Sequence, residues 1–116
     1  MKPRLRDQAG LAAEDIAERA YRARGGRVIA RRWSCRMGEI DLIVAEAGVI
    51  VFVEVRARRQ RAEAGASITP RKLARLMAAA GAWMSAEAVS PDSPMRLDAA
   101  LVDRSGAVEI VENISL

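Results

Sequence analysis

The fold of this protein is decided by residues 38–59, which read GEIDLIVAEAGVIVFVEVRARR. The segment predicts two strands, 39–45 and 49–55, joined by a tight turn that ends at Gly48. The second strand is apolar on both faces almost to its end, which is typical of a central strand covered on both sides. Charged side chains rarely occupy such a segment without a partner. It nevertheless contains three carboxylates: Glu39, Asp41 and Glu54.

Further elements surround this pair of strands. The strand 39–45 alternates, which predicts Ile40, Leu42 and Val44 on one face and Glu39, Asp41 and Ile43 on the other. A polar, Gly- and Ala-rich loop is expected over 56–67. A helix should begin at Thr69-Pro70, with Thr as N-cap, and carry an apolar stripe that faces the core. The residues of this stripe are Leu73, Leu76, Met77, Ala80, Trp83 and Met84. The remaining predicted elements are a helix over 10–24 that ends at Gly25-Gly26 and strands over 27–33, 95–103 and 107–114.

These elements predict an α/β protein of one domain, residues 1–116, with a mixed central sheet flanked by helices. The predicted order is α-β-β-β-α-β-β. The helix between the third and fourth strands makes a crossover that is long enough for parallel pairing. The first residues, 1–9, are expected to be flexible.

Composition narrows the classes of function. The chain has 116 residues, half of them hydrophobic, and 19 basic against 15 acidic residues, with a pI near 10.2. This excess of positive charge favours nucleic acid or another polyanion as a partner. We find no apolar run of membrane-spanning length and no secretory signal, so a cytoplasmic protein is expected.

Two absences from the sequence exclude several chemistries. There is no His, so Ser-His and Cys-His nucleophiles and histidine metal ligands are excluded. Cys35 is the single cysteine, which excludes an internal disulfide and a cysteine-cluster zinc site.

The carboxylates of the two central strands form the candidate site. With a two-residue turn, Asp41 lies opposite Glu54; with a three-residue turn, the offset is one position. Two acids so close must share a proton, pair with a cation or bind a metal. Oxygen ligands favour Mg²⁺ or Mn²⁺, and Glu14 on the first helix could complete the metal shell. In the alternative interpretation, Arg31 and Arg56 pair with these acids in a structural network.

The same segment resembles the signature of the bacterial YraN family. The resemblance covers nearly the whole chain, through GLAAEDIAERAYRARGGRVIARRW before it and SITPRKLARLMAAAGAWM and RLDAALVD after it. The YraN family is similar to archaeal Holliday-junction resolvases and to the wider PD-(D/E)xK nuclease superfamily, whose core is a helix, three strands, a helix and another strand. The resemblance therefore implies a restriction-endonuclease-like fold and metal-dependent cleavage of nucleic acid.

The resemblance also implies roles for individual residues. It makes Asp41 the metal-binding acid, Glu54 the second acid and Glu14 the acid carried by the helix. Glu39 matches the family's Glu before Ile-Asp.

One position departs from the superfamily motif, which ends in Lys two residues beyond the second acid. That position is Arg56 here, and an arginine keeps its proton and cannot act as a base. Lys72 matches a Lys of the family pattern and could supply the missing ammonium. In the other interpretation, Lys72 is a solvated residue at a helix start.

Basic residues cluster in sequence around the candidate site and could contact phosphates without reading base sequence. They are Arg58, Arg59, Arg61, Arg71 and Arg75. Two hypotheses follow. The first is a nucleic-acid-binding protein, with DNA as the expected ligand, that acts as a Mg²⁺- or Mn²⁺-dependent endonuclease. The second is a binding or scaffold protein that keeps the nuclease fold without full chemistry. Both leave open whether the protein is a homodimer.

Overall fold

The computed structural model describes residues 5–115, and it confirms the predicted α/β fold. The elements are α1 Leu5–Ala23, β1 Arg27–Cys35, β2 Gly38–Glu46, β3 Val49–Ala57, α2 Arg61–Ala66, α3 Pro70–Ala86, β4 Met95–Val102 and β5 Val108–Val111. The predicted flexibility of residues 1–9 stays a prediction, because residues 1–4 lie outside the described region and the next five begin α1. No helix in the described part of the chain is both long and apolar enough to cross a membrane.

The five strands form one mixed sheet in the order β1-β2-β3-β4-β5. β3 and β4 are parallel, and the other neighbouring strands are antiparallel. The parallel pair follows from the connection between β3 and β4, which carries α2 and α3 and is long enough to cross over the sheet.

Both faces of the sheet are covered, as expected for the apolar β3. The face beneath α3 contains Ile43 and Phe52, and the ring of Phe52 meets Trp83 edge-on, with ring centroids 5.6 Å apart. The opposite face contains Val51 and Val53 and packs against α1. These two layers hold the middle of the β2–β3 hairpin rigidly between helices.

Two details of the predicted core are wrong. Ile40 packs with Ile43 beneath α3, whereas Leu42 and Val44 face α1. The regular β2–β3 pairing begins only at Leu42 and Val53, so strict alternation of side chains does not extend to the start of β2. Met77, placed in the apolar stripe of the helix that follows Thr69, is 43% exposed because it lies at the edge of the buried face.

The loop predicted over 56–67 is also wrong in part. β3 continues to Ala57, which pairs with Val102 of β4. The helix α2 then forms, and its buried Ala64 packs against Leu101. The small apolar residues of this segment find a partner surface on β4, which local sequence does not reveal.

The predicted turns and caps are present. Ala47 and Gly48 form the two-residue turn between β2 and β3, and both have positive φ angles, 50° and 80°. Thr69 caps α3, because its hydroxyl accepts a hydrogen bond from the backbone N–H of Lys72 at 3.2 Å. The last strand, β5, is shorter than predicted and ends at Val111.

Candidate active site at the open end of the central hairpin

Asp41 and Glu54 lie opposite each other where the β2–β3 ladder opens. Regular pairing runs from the turn to Leu42 and Val53, so Asp41 and Glu54 occupy the next pair of positions. There the backbone N–H of Val55 donates to Oδ2 of Asp41 at 2.8 Å. The Asp41 carboxylate therefore takes a hydrogen bond from the central strand at the point where the two strands separate.

The environment of Asp41 disfavours its charged form. Burial, followed by the charge of Glu54, raises the pKa of Asp41 from 3.8 to about 7, and the hydrogen bond from Val55 opposes the rise. The charges of Glu14 and Glu39 raise this pKa further. Asp41 thus lies among the predicted carboxylates and titrates near neutral pH, and a cation bound beside it would favour the charged form.

Glu54 is paired with Arg56, two residues along the same strand. Its Oε1 lies 2.8 Å from Nη2 of Arg56, and the two side chains are 14% and 20% exposed. Burial raises the pKa of Glu54, while Arg56 and then Lys72 oppose the rise. The Nε atom of Arg56 is buried without a hydrogen-bond partner among the described residues. This cation is therefore held at the site by one carboxylate and keeps donor capacity.

A small pocket lies on the α3 side of Glu54. Its volume is about 190 Å³. Lys72 reaches this pocket from the first turn of α3, where its Nζ lies 3.3 Å from the backbone oxygen of Ser67. The lining residues are Gly38, Glu39, Glu54, Arg56, Lys72 and Arg75. The structure thus brings Glu54 together with Arg56, which stands at the position of the superfamily lysine, and with Lys72, which could supply the missing ammonium.

Glu14 approaches the site from α1 but is held by arginines of β1. It is 5% exposed, and its Oε1 accepts from Nε of Arg32 at 2.8 Å and from Nη2 of Arg31 at 3.5 Å. It lines a separate pocket of about 350 Å³ that also includes Arg56 and Arg58. Arg31, an expected partner of the central acids, instead forms its shortest ion pair with Asp15, at 2.7 Å.

The remaining basic residues are distributed over the same end of the molecule. Arg58 and Arg59 follow β3 directly and are exposed. Arg61 begins α2 and faces Asp103, with 3.6 Å between Nε and Oδ2. Arg71 and Arg75 lie in the first turns of α3, and Nε of Arg75 is 3.5 Å from the backbone oxygen of Met37.

Comparison with known proteins places this arrangement in a family. A model of the uncharacterised protein family UPF0102 matches residues 13–102, which include Glu14, Asp41, Glu54 and Lys72. The chain belongs to the UPF0102 family. This is the family that the sequence resembles under the name YraN, so that resemblance is confirmed.

UPF0102 proteins of several bacteria align with most of this chain. One from Ruegeria pomeroyi is 47% identical over 105 residues, which are 90% of this chain and 85% of the relative. One from Neisseria meningitidis serogroup C is 40% identical over 114 residues, 97% of this chain and 98% of the relative. One from Cereibacter sphaeroides is 35% identical over 113 residues and covers 97% of each chain.

The donor atoms of this UPF0102 site fit a hard divalent cation, although its carboxylates do not all converge. No group of three acidic side chains between residues 10 and 115 lies close enough to hold a metal together. Glu14 and Glu54 each have one oxygen engaged by arginine. Mg²⁺ is commonly held by one or two carboxylates with water completing its shell, so Asp41 and Glu54 fit that mode. Glu14 fits as a third ligand only through Oε2, because its Oε1 accepts the hydrogen bonds from arginine.

A second ionic cluster of this UPF0102 protein, which the sequence patterns did not predict, extends from Asp98, which pairs with Val53, to Glu46 beside the β2–β3 turn. Asp98 is fully buried on β4. It accepts from the hydroxyl of Tyr21 at 2.8 Å, from Nε of Arg96 at 3.0 Å and from the backbone N–H of Asn113 at 3.1 Å. Arg96 also contacts Glu46 at 2.7 Å. The signal in the sequence was the charged pair within RLDAALV, an otherwise apolar strand.

Proposed function

We propose that this protein binds nucleic acid, with DNA as the expected substrate, and hydrolyses phosphodiester bonds with Mg²⁺ or Mn²⁺ held by Asp41 and Glu54. The observation that carries the proposal is the placement of Asp41. Its partly buried carboxylate lies beside Glu54 at an opened strand pair, and its one described hydrogen bond comes from a backbone N–H. A divalent cation is the partner that offsets both acids, and the element order agrees with the nuclease core that the sequence resemblance implies.

The chemistry divides between the cation and the side chains. A divalent cation at Asp41 and Glu54 would supply Lewis-acid polarisation of the phosphoryl oxygen and of the attacking water. Arg56 stays protonated, so its role is to hold Glu54 and to offset charge that develops on the phosphate. Lys72, in the same pocket, can position the water or a phosphate oxygen.

A second function, binding without cleavage, is favoured by a different observation. Arg56 stands where the superfamily has lysine, and its ion pair with Glu54 engages an oxygen that a cation would need. A protein with this pair can still bind nucleic acid through its basic residues while its chemistry is weak.

Cleavage assays separate the two functions. We expect slow, strictly Mg²⁺- or Mn²⁺-dependent cutting of linear or branched DNA by the wild type, faster cutting by Arg56→Lys, and none by Asp41→Ala in either background. The lysine ammonium is more compact and can lose a proton to act on the water. If no linear, branched or single-stranded substrate is cut and Arg56→Lys changes nothing, the binding function stands alone.

Lys72 provides a matched test of the second cation in the pocket. If its ammonium acts on the water or the phosphate, Lys72→Ala should lower the cleavage rate, whereas Arg22→Ala, which removes an exposed cation from α1, should not. Equal effects of the two substitutions would indicate that Lys72 contributes only general positive charge.

Nucleic-acid binding itself is tested by its dependence on salt. Each phosphate neutralised by a basic residue steepens the fall of affinity with salt by about 0.9 in the log–log slope for duplex DNA. Replacing Arg58, Arg59 and Arg61 together by Ala should therefore flatten the slope measured by fluorescence anisotropy. An unchanged slope would exclude this segment as the contact surface.

A further inference from the structure

Arg32 has an unusual backbone conformation beside the carboxylates. Its φ is 52°, in the left-handed region that non-glycine residues seldom adopt, and it lies within a strand and not in a turn. Successive side chains of a strand point to opposite faces. Arg31 and Arg32 nevertheless both reach Glu14 on α1. The left-handed turn of the chain at Arg32 is what brings the second guanidinium to this side.

The strand register places Arg32 directly beside the candidate site. Arg31 pairs with Leu42 and Trp33 pairs with Ile40, so Arg32 lies opposite Asp41. Its hydrogen bond to Glu14, and further the charges of Glu39 and Asp41, raise the pKa of Arg32. The side chain is still 40% exposed, so it faces the acids and the solvent together.

We infer that Arg32 is a further binding residue of this site. Without a divalent cation it is the counter-ion of Glu14 and Asp41. When the cation binds, Arg32 leaves these carboxylates and contacts a phosphate of the nucleic acid. This inference rests on the proposed function. Both hydrogen bonds that Glu14 accepts from arginine go to Oε1, so the ion and Arg32 compete for one carboxylate. An arginine displaced from it remains at the mouth of the site, where its planar fork suits phosphate.

The inference predicts opposite effects on two ligands. In Arg32→Asn, which keeps a residue tolerant of positive φ, Mn²⁺ should bind roughly three- to tenfold more tightly, because one nearby positive charge is gone. Duplex DNA, measured in EDTA, should bind more weakly, with the slope of log affinity against log salt reduced by about one. Titration calorimetry with Mn²⁺ alone and anisotropy with labelled DNA give the two values.

Matched variants make the result decisive. Arg27→Asn removes one exposed charge from the other end of β1 and should change neither affinity, and Arg32→Gly should repeat the result of Arg32→Asn if the asparagine variant folds poorly. Suppose that the wild type binds both Mn²⁺ and DNA. If the Arg32 variants then lose affinity for both ligands or for neither, Arg32 only forms a structural ion pair and the inference is overturned. If the wild type binds neither Mn²⁺ nor DNA, the proposed function fails and this inference fails with it.

Discussion

At the scale of single residues, the chemistry of the site depends on how few partners Asp41 has. The N–H of Val55 satisfies one oxygen, but burial and Glu54 still raise the pKa of the carboxyl to about 7. Between pH 4 and pH 7 the folded protein therefore holds a proton that the unfolded chain has released. By linkage, the free energy of unfolding falls as the pH rises through this window, by at most about 1.4 kcal/mol for each step of one in pH.

Asp41→Asn should remove this dependence on pH. The amide cannot ionise and keeps an oxygen for the N–H of Val55, so the variant should equal the wild type near pH 4 and exceed it at pH 8. Urea unfolding at both pH values measures the difference. Asp92→Asn, which changes an exposed carboxylate far along the chain, is the control. If both variants keep the slope of the wild type, Asp41 does not titrate near neutrality.

At the scale of elements, the β2–β3 hairpin sets the position of the site through its turn. A two-residue turn fixes the register and so places Asp41 opposite Glu54 at the far end of the strands. The turn has positive φ at both positions, but the first is Ala47, whose side chain makes that conformation costly.

Ala47→Gly and Ala47→Asn should both stabilise the protein, by about 0.5–1 kcal/mol, because these residues tolerate positive φ and the register is unchanged. Gly48→Ala, at the neighbouring position with φ of 80°, should destabilise it by a similar amount. Chemical denaturation measures all three. A loss of stability in both Ala47 variants would contradict a turn with positive φ at its first position.

At the scale of the whole molecule, the cluster around Asp98 joins elements that are distant in sequence. Tyr21 lies on α1, Glu46 on β2, and Arg96 and Asp98 on β4. Burial of the Tyr21 hydroxyl raises its pKa, as does the charge of Asp98, so the phenol remains a donor. Asp98 pairs with Val53, the residue before Glu54, and the cluster extends from there to Glu46 beside the β2–β3 turn and holds α1 against β4.

Asp98→Ala should cost about 3–5 kcal/mol of unfolding free energy, because it leaves the guanidinium of Arg96 with one buried partner fewer and Tyr21 without its acceptor. Tyr21→Phe should cost less, about 1–3 kcal/mol, since it removes one hydrogen bond. The double variant completes a cycle whose coupling energy reports on the pair. Additive losses would show that the two side chains do not act together.

The sequence by itself determined the elements other than α2, and their order. Alternation in 39–45, the apolar run of 49–55 and the Thr-Pro start at Thr69 are local signals, and each element they predicted is present. The sequence also predicted that Asp41 and Glu54 lie close together, and of the two turn lengths left open the structure has the two-residue turn, which places them opposite each other. The central segment likewise predicted the family to which the chain belongs.

Tertiary structure alone decided which side chains meet. The left-handed φ of Arg32, the helix α2 and the cluster around Asp98 depend on contacts between residues far apart in the chain. The ion pairs of Glu14 with Arg31 and Arg32 depend on how α1 packs against β1. Local sequence patterns report secondary-structure propensity and periodicity. Burial and charge partners arise only when elements pack against one another. Burial and charge partners together set the pKa of Asp41.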